Sequence, residues 1–361
     1  MKPLLSFRTV AEHVSVGTLS TEVIIESHLL MPIQVSVVVP CRNEEKTIRL
    51  LLEALAQQSF PQSEMEVLIA DGLSEDGTRD VIAEFQTEHP DLQVHVLENP
   101  NRIIPAALNV GIAAAQGEFI LRMDAHAIPR PDYVARCVEA LQARKAENVG
   151  GVWEIQPQNE SWIARSIAAA AAHPIAVGDA GYRIGSQAGY VDTVPFGAFR
   201  RELIERIGPF DERLLTNEDY EFNTRIRQSG GRIWLDPQIR SVYFARGSLS
   251  DLAKQYWRYG YWKAQMLKRY PKTLRLRQAL PPIFVLSLIL LPLLSVIFQP
   301  LFTVWLIELG IYLVTLILVG IQLAIQKKDA ALALGVPLAI ATMHLSWGAA
   351  LLVGSLSSPR S

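Results

Sequence analysis

Short apolar runs alternate with amphipathic stretches along the first half of the chain. "VSVVVP" (35–40) is a continuous, β-branched run of the kind that forms a buried parallel strand. "NEEKTIRLLLEALAQQ" follows, with Ile48, Leu51, Leu52 and Leu55 at helical spacing, Asn43 as a candidate cap and glutamates in the first turn. The cycle repeats. "VLIADG" (67–72) is a strand, and a helix with Val81, Ile82 and Phe85 on one face comes after it. "VHVLEN" (94–99) precedes a helix with Pro105 in its first turn and Gly117 after its end. "FILRMDA" precedes a helix opened by Pro131. Four strand–helix cycles predict an α/β fold with a doubly wound, mostly parallel sheet.

Beyond Gly150 the alternation breaks down. "SWIARSIAAAAAHP" reads as an Ala-rich helix, and "GYVDTVPFGAFRRELIERIGPFDERL" as a strand, a glycine turn and a short helix. "NEDYEFNTRIRQSGG" reads as a helix opened by Asn217, "IWLDP" and "SVYFA" as two short strands, and "DLAKQYWRYGYWKAQMLKRY" as a basic, aromatic helix. From Leu280 onward nearly every residue is apolar. Stretches at 281–298, 301–325 and 330–353 each approach the ~20 residues needed to cross hydrocarbon. The predicted organisation is an N-terminal extension (1–30), a catalytic domain (31–245), an interfacial helix (246–279) and a membrane region (280–361).

Charge adds direction to this picture. Between Arg246 and Arg277 lie nine basic residues and one acid, Asp251, while Lys327 and Lys328 sit in the second membrane loop. With three spans both clusters fall on one side, which the positive-inside rule makes cytoplasmic. Cys41 and Cys137 cannot build a disulfide framework and suit a reducing compartment. A multi-pass protein of a bacterial inner membrane, its globular part facing the cytoplasm, is the expectation. The basic helix suits anionic headgroups. Net charge is −2, with no domain-wide basic field, and no nucleic-acid partner is expected. Residues 1–30 are no secretory signal. They are either an extension or untranslated sequence ahead of a start at Met31.

Ligands of such sheets sit at the carboxyl ends of the strands. Those ends carry Pro40, Arg42, Glu44, Asp71, Asn99, Asn101, Asp124 and His126. Asp71 can accept from a base or ribose, or can be a turn acid in "DGLSEDGT". Asp124 and His126 can clamp a metal on a diphosphate, or can end a strand in an ordinary turn. Imidazole tilts such a site towards Mn²⁺ over Mg²⁺. In "TNEDYEF" a cap explains one of Glu218 and Asp219, and the second is left for proton transfer from an acceptor hydroxyl. Gln255 and Arg258 of "QYWRY" stand close behind, Arg258 as a cation for a leaving diphosphate. Glu308 and His344 lie within predicted spans and are functional candidates on that ground.

Taken together, "VSVVVPCRNEEKTI", "ADGLSEDGT", "NVGIAAAQGEFILRMDAHA", "GAFRRELIERIGPFDE" and "NEDYEFNTRIRQSGGRIWLDP" resemble the family 2 glycosyltransferases of GT-A fold, from about Gln34 to Arg258. "MDAHA" and the apolar tail are most similar to the membrane-attached exopolysaccharide glucosyltransferases of the succinoglycan type. The resemblance implies inverting transfer of a sugar from a nucleotide-sugar donor, a UDP-sugar first among the candidates. It implies nucleotide contacts at Pro40, Glu44 and Asp71, metal and diphosphate contacts at Asp124 and His126, and a base at Asp219. Arg42, Asn101 and Gln255 are counted with the donor set, and Glu218 and Arg258 with the catalytic set. The sequence departs from the family pattern in two places. His126 replaces the usual second aspartate of the metal motif, and Tyr259 follows Arg258 where processive synthases carry tryptophan. Three spans are also few for a polymer channel, so one sugar per lipid-linked acceptor is expected, alone or within a polysaccharide assembly. Direct transfer to a polyprenyl phosphate or hopanoid-like lipid, and a non-catalytic nucleotide-sugar scaffold, are the rivals. A dinucleotide oxidoreductase is not supported, because "PCRNEE" stands where a G-x-G-x-x-G turn belongs.

Overall fold

The computed structural model describes residues 32–143 and 146–358, so the expectations for residues 1–30, a start at Met31 included, lie outside the described residues. In chain order the elements are β1 (Val35–Cys41), α1 (Ile48–Ala56), β2 (Met65–Asp71), α2 (Thr78–Glu88), β3 (Gln93–Glu98), α3 (Ile104–Ala114), β4 (Phe119–Arg122), β5 (Ile128–Pro129) and α4 (Tyr133–Gln142). Next come β6 (Asn148–Pro157), α5 (Trp162–Ala171), α6 (Pro174–Val177), α7 (Gly181–Ile184), β7 (Gly189–Tyr190), β8 (Ala198–Arg200), α8 (Glu202–Ile207), α9 (Glu218–Gln228) and β9 (Ile233–Ala245). Four longer helices follow: α10 (Leu249–Arg269), α11 (Leu276–Leu294), α12 (Pro300–Lys327) and α13 (Leu332–Leu356).

The strands form one sheet in the order β3-β2-β1-β4-β8-β6-β9-β5, with β7 on β9. β1 pairs in parallel with β2 and β4, and β2 with β3. Antiparallel pairing enters at β8. β1, β2 and β4 are buried on both faces, which is why they are mostly apolar, while β3 at the edge is largely exposed. Val35, Val37 and Val39 face a core shared with α1, α2 and α4, while Val38 faces a second core with α3, α8 and α9. Parallel pairing brings the ends of β1, β2 and β4 to one edge, where the crevice forms.

Two local expectations change. Asn43 does not cap α1; it turns at φ +55°, and its side chain accepts from the Glu75 N–H at 2.9 Å, tying the loop after β1 to the loop after β2. "IWLDP" and "SVYFA" belong to one strand, β9, bulged where the register with β6 slips between Gly150 and Val152. Pro237 lies in that bulge, where its missing N–H costs the ladder nothing.

α11, α12 and α13 are long and apolar enough to cross a membrane. α11 starts upstream of Pro281, because the Arg275 N–H donates to Gln278 Oε1 (3.2 Å) and closes a first turn there. α10 differs from the expectation of a helix resting on headgroups. It buries Leu252, Tyr256, Trp262, Ala264 and Met266 and packs along α13. α5 packs on α13 as well, and Ile167, Tyr243, Tyr256, Val336, Ile340 and Met343 share one apolar cluster. The boundaries expected at 245/246 and 279/280 therefore do not separate bodies; the chain from Pro32 onward is one compact unit.

Candidate active site

β4 ends on Arg122, a charge in an otherwise apolar strand and only 5% exposed. A buried guanidinium needs carboxylate partners. Arg122 Nη2 lies 2.9 Å from Asp124 Oδ1 and 3.0 Å from Glu218 Oε1, and Nη1 pairs with Asp219. One side chain thus joins the end of β4 to the first turn of α9. Glu218 is buried, whereas about a quarter of the Asp124 and Asp219 side chains remains open to the crevice. Burial pushes the Asp219 carboxyl up to about 7; Arg122 opposes the rise, and the charges of Glu218 and Asp124 add to it. A recessed carboxylate near neutrality is suited to general-base work.

His126 faces the same space. Its Nδ1 is 3.3 Å from Glu44 Oε1. Burial lowers the imidazole's basicity, but the bond to Glu44 and the charge of Asp124 outweigh it, so the pKa is raised. Donation from Nδ1–H to Glu44 leaves Nε2 for a ligand, the carboxylate–histidine pairing common behind metal sites. Asp124 and His126 together supply one oxygen and one nitrogen, which fits an Mn²⁺ or Mg²⁺ ion whose remaining ligands are diphosphate and water oxygens. Among the described residues a tighter acidic trio, Glu53, Glu88 and His89, lies on α1 and α2. It already holds Arg49 and is remote in the fold from the crevice.

The expected donor-binding, metal and catalytic residues divide into two groups. Asp124, His126, Glu218, Asp219, Gln255 and Arg258 line a single cavity of about 620 Å³. Pro40, Arg42, Glu44, Asp71 and Asn101 do not line it. Glu44 reaches it through His126. Asp71 is fully buried, accepting from Ser74 N–H and Oγ and pairing with Arg79 Nε at 2.6 Å, so in this structure it is the clasp of the "DGLSEDGT" turn. Arg42 packs over Gly72. Asn101 donates to Glu212 (3.2 Å) and faces away from the cavity lining. Gln255 donates to the hydroxyls of Tyr243 (3.0 Å) and Tyr259 (3.1 Å). Arg258 donates to Thr216 Oγ1 and to the Leu215 carbonyl (2.9 Å), bracing the loop that delivers Asp219.

Two arginines escaped the sequence reading. Arg122 carried a signal, a lone cation within "FILRMDA". Arg183 of α7 carried none. Its guanidinium lies 4.8 Å from the Trp153 ring centre and 5.5 Å from that of Tyr182, inside the cavity and with no carboxylate partner among the described residues. Backbone strain marks the same region. Asn43, Leu73, Arg102, Phe196 and Asn217 all turn in the left-handed region, φ +48° to +68°, in the loops after β1, β2 and β3 and before β8 and α9. Such conformations cost about 1–3 kcal/mol each and gather at ligand sites.

The apolar helices α11 and α13 complete the cavity wall with Pro281, Met343, His344 and Trp347. His344 Nε2–H donates to the Ile175 carbonyl (3.0 Å), so Nδ1 accepts from the Tyr312 hydroxyl (3.2 Å). Glu308 accepts from Ser287 Oγ (2.6 Å) and braces α12 against α11. Cys41 and Cys137 are buried, and burial raises both thiols, so neither is a nucleophile.

Residues 36–208 match the glycosyl transferase family 2 domain. Succinoglycan biosynthesis protein ExoA of Rhizobium meliloti (strain 1021) is 31% identical over 319 residues, covering 87% of this chain and 92% of that protein. A dolichyl N-acetyl-alpha-D-glucosaminyl phosphate 3-beta-D-2,3-diacetamido-2,3-dideoxy-beta-D-glucuronosyltransferase of Methanococcus voltae is 31% identical over 241 residues, covering 65% of this chain and 74% of that protein. Among solved structures, the mannosyltransferase PcManGT from Pyrobaculum calidifontis, in complex with GDP-Man and Mn²⁺, has the same GT-A fold, with a TM-score of 0.58 and 22% identity over 91% of this chain and 89% of that one. The family model over residues 36–208 and the relative aligned over most of its length agree: this chain belongs to glycosyl transferase family 2.

Proposed function

We propose that the protein transfers one sugar from a nucleotide-sugar donor, a UDP-sugar first among the candidates, to a lipid-linked acceptor in exopolysaccharide assembly at the cytoplasmic face of a bacterial inner membrane. One observation carries this reading: the cavity that holds Asp124, His126 and Asp219 is also walled by Pro281, Met343 and Trp347 of the apolar helices. A water-soluble acceptor has no use for that wall.

The chemistry is a single in-line displacement with inversion. Asp219 takes the proton of the acceptor hydroxyl. The oxygen bonds to the anomeric carbon as the bond to the diphosphate breaks, and the electron pair leaves with the nucleoside diphosphate. Arg122 holds the carboxylate in place and lowers its proton affinity. Asp124 and His126 would hold a divalent ion, which when bound would supply charge neutralisation to the diphosphate. Glu44 orients His126, and Asp71 and Arg42 fix the loops that meet the nucleotide. Arg183 meets the anionic part of the acceptor. Arg258 acts by bracing residues 215–216.

The test is nucleotide release by the full, detergent-solubilised protein, with UDP- and GDP-sugars, membrane lipid extract, and Mn²⁺ or Mg²⁺ added or chelated. The reading expects release that needs one donor, a metal and lipid, and that is lost in Asp124→Ala and Asp219→Asn. Full activity of Asp219→Asn removes the base and points to a phosphate acceptor. Release indifferent to lipid removes the lipid-linked acceptor.

A further inference from the structure

Length and composition permit three crossings, but the packing of α13 does not. Its N-terminal end is fixed to the catalytic domain. Asp329, just before it, pairs with Arg165 of α5 at 2.8 Å, and a Cβ on Gly335 would fall 2.0 Å from Ser166 Oγ. Its C-terminal end is fixed to the same domain. Gln265 of α10 donates to the Gly354 carbonyl (3.0 Å) and to Ser357 Oγ (2.8 Å), and Lys268 donates to the Ser357 carbonyl. α10 is in turn tied back to the catalytic domain through the Arg269–Asp211 pair. Between these ends Gly260 of α10 abuts the Trp347 carbonyl so closely that a Cβ would lie 2.5 Å away.

Gly335 and Gly354 are about 28 Å apart along a helix rising 1.5 Å per residue, close to the ~30 Å of a hydrocarbon core. If α13 crossed, α10 would have to cross beside it. α10 carries Lys254, Arg258, Lys263, Lys268 and Arg269 and cannot lie in hydrocarbon. The outer face of α13 is apolar and open, with Leu334, Leu338, Leu345, Val353 and Leu356 exposed.

We infer that α13 lies along the membrane surface, its exposed leucine face in the lipid of one leaflet, and that the chain ends on the same side as the catalytic domain. The α11–α12 hairpin is the part that enters the bilayer. Its large apolar residues from Leu286 to Ile311 are mostly exposed, whereas α12 buries Leu316, Val319 and Leu323 against α13. This arrangement sets Met343 and Trp347, and with them the cavity mouth, at headgroup depth. The inference does not depend on the transfer chemistry.

Accessibility of the C-terminus decides it. Ser358→Cys in the full chain would be treated with a membrane-impermeant maleimide in intact cells and in permeabilised cells; the native cysteines are buried. A cysteine introduced at Glu75, in the exposed loop after β2, reports the side of the catalytic domain. The inference expects positions 75 and 358 to label together, both only after permeabilisation or both before it. Labelling of one in intact cells and of the other only after permeabilisation overturns it, because α13 then crosses. A C-terminal fluorescent or phosphatase fusion gives the same comparison if the Ser358→Cys chain does not accumulate.

Discussion

Replacing Arg122 by methionine removes the cation that, among the described residues, joins Asp124, Glu218 and Asp219. Arg122 is almost wholly buried, so its loss leaves neighbouring carboxylates without a partner. Breaking a buried pair in this way costs about 3–5 kcal/mol of stability. The more specific consequence concerns Asp219. Burial and two acidic neighbours raise its pKa and Arg122 opposes them, with a balance at about 7. An adjacent guanidinium typically lowers a carboxyl by about 1–3 pH units. In Arg122→Met the acid limb of the kcat/KM profile therefore moves to the alkaline side by that amount. The sign follows from the role: a base works ionised, so kcat/KM rises with pH through the carboxyl's pKa and levels above it. Below the shifted pKa the ionised fraction of Asp219 falls by up to about tenfold per unit of displacement, and activity recovers at higher pH. The assay is nucleotide release between pH 5.5 and 10, and kcat/KM reports the free enzyme's groups. An unmoved limb with uniformly lower activity would refute the electrostatic role and leave Arg122 as a spacer. Arg122→Gln, which keeps two hydrogen-bond donors but carries no charge, serves if the methionine variant does not fold.

Lys263 is 1% exposed, lies 3.8 Å from the Tyr220 ring centre, and burial lowers its pKa from 10.5 to about 7. Between those values the unfolded chain binds the extra proton, so stability rises with pH from about 7 to 10.5. Lys263→Met removes a penalty of up to about 5 kcal/mol at pH 6, partly offset by the ring contact, and flattens this slope; melting temperature against pH in detergent measures it. Gly260→Val drives a side chain into the Trp347 carbonyl and separates α10 from α13, lowering stability by about 1–3 kcal/mol, seen as a melting point several degrees lower. Arg183→Gln leaves UDP-sugar affinity unchanged and raises the KM for lipid extract about 10- to 100-fold, the worth of a hydrogen-bonded charge; an equal loss of donor affinity would place Arg183 on the donor's diphosphate instead.

β1, β2 and β4 were legible because both of their faces are buried. Strands such as Val35–Cys41 read as unbroken apolar runs, and helices such as α1 show their spacing within a few residues of their ends. The mixed half was harder to read because β5, β7 and β8 are very short and the longest strand, β9, is bulged. β7 has two residues, and β9 is split in sequence by a bulge around Pro237 that the sheet absorbs. In the site, Asp124, His126 and Asp219 stood at strand and helix ends, and the structure gathers them around one cavity. Asp71 stood at such an end too, yet the structure shows its oxygens held by Ser74 and Arg79. A loop acid's partners depend on how the loop closes, which spacing does not specify. Arg183 was invisible for the same reason, since Trp153, Tyr182 and Tyr243 come together only when β6, α7 and β9 pack.

The apolar tail shows most plainly where composition stops. Hydropathy sums each helix alone and asks whether it dissolves in lipid; it does not ask what the helix touches. α11 and α12 keep most of their apolar surface open, as lipid-facing helices do, while α13 spends ten buried positions on the catalytic domain and its neighbouring helices. Those contacts are made through small residues, Gly335, Gly348 and Gly354, which let backbones approach and add nothing to a hydropathy average that distinguishes a span from a seam. A helix can be apolar all round because lipid surrounds it, or because lipid covers one face and protein the rest. In the arrangement inferred for α13 the second case applies, and Met343 and Trp347, on its protein-facing side, share one cavity with Asp124 and Asp219. Loosening the α10–α13 seam should therefore impair acceptor use before it impairs donor binding, an order that a detached anchor would not produce.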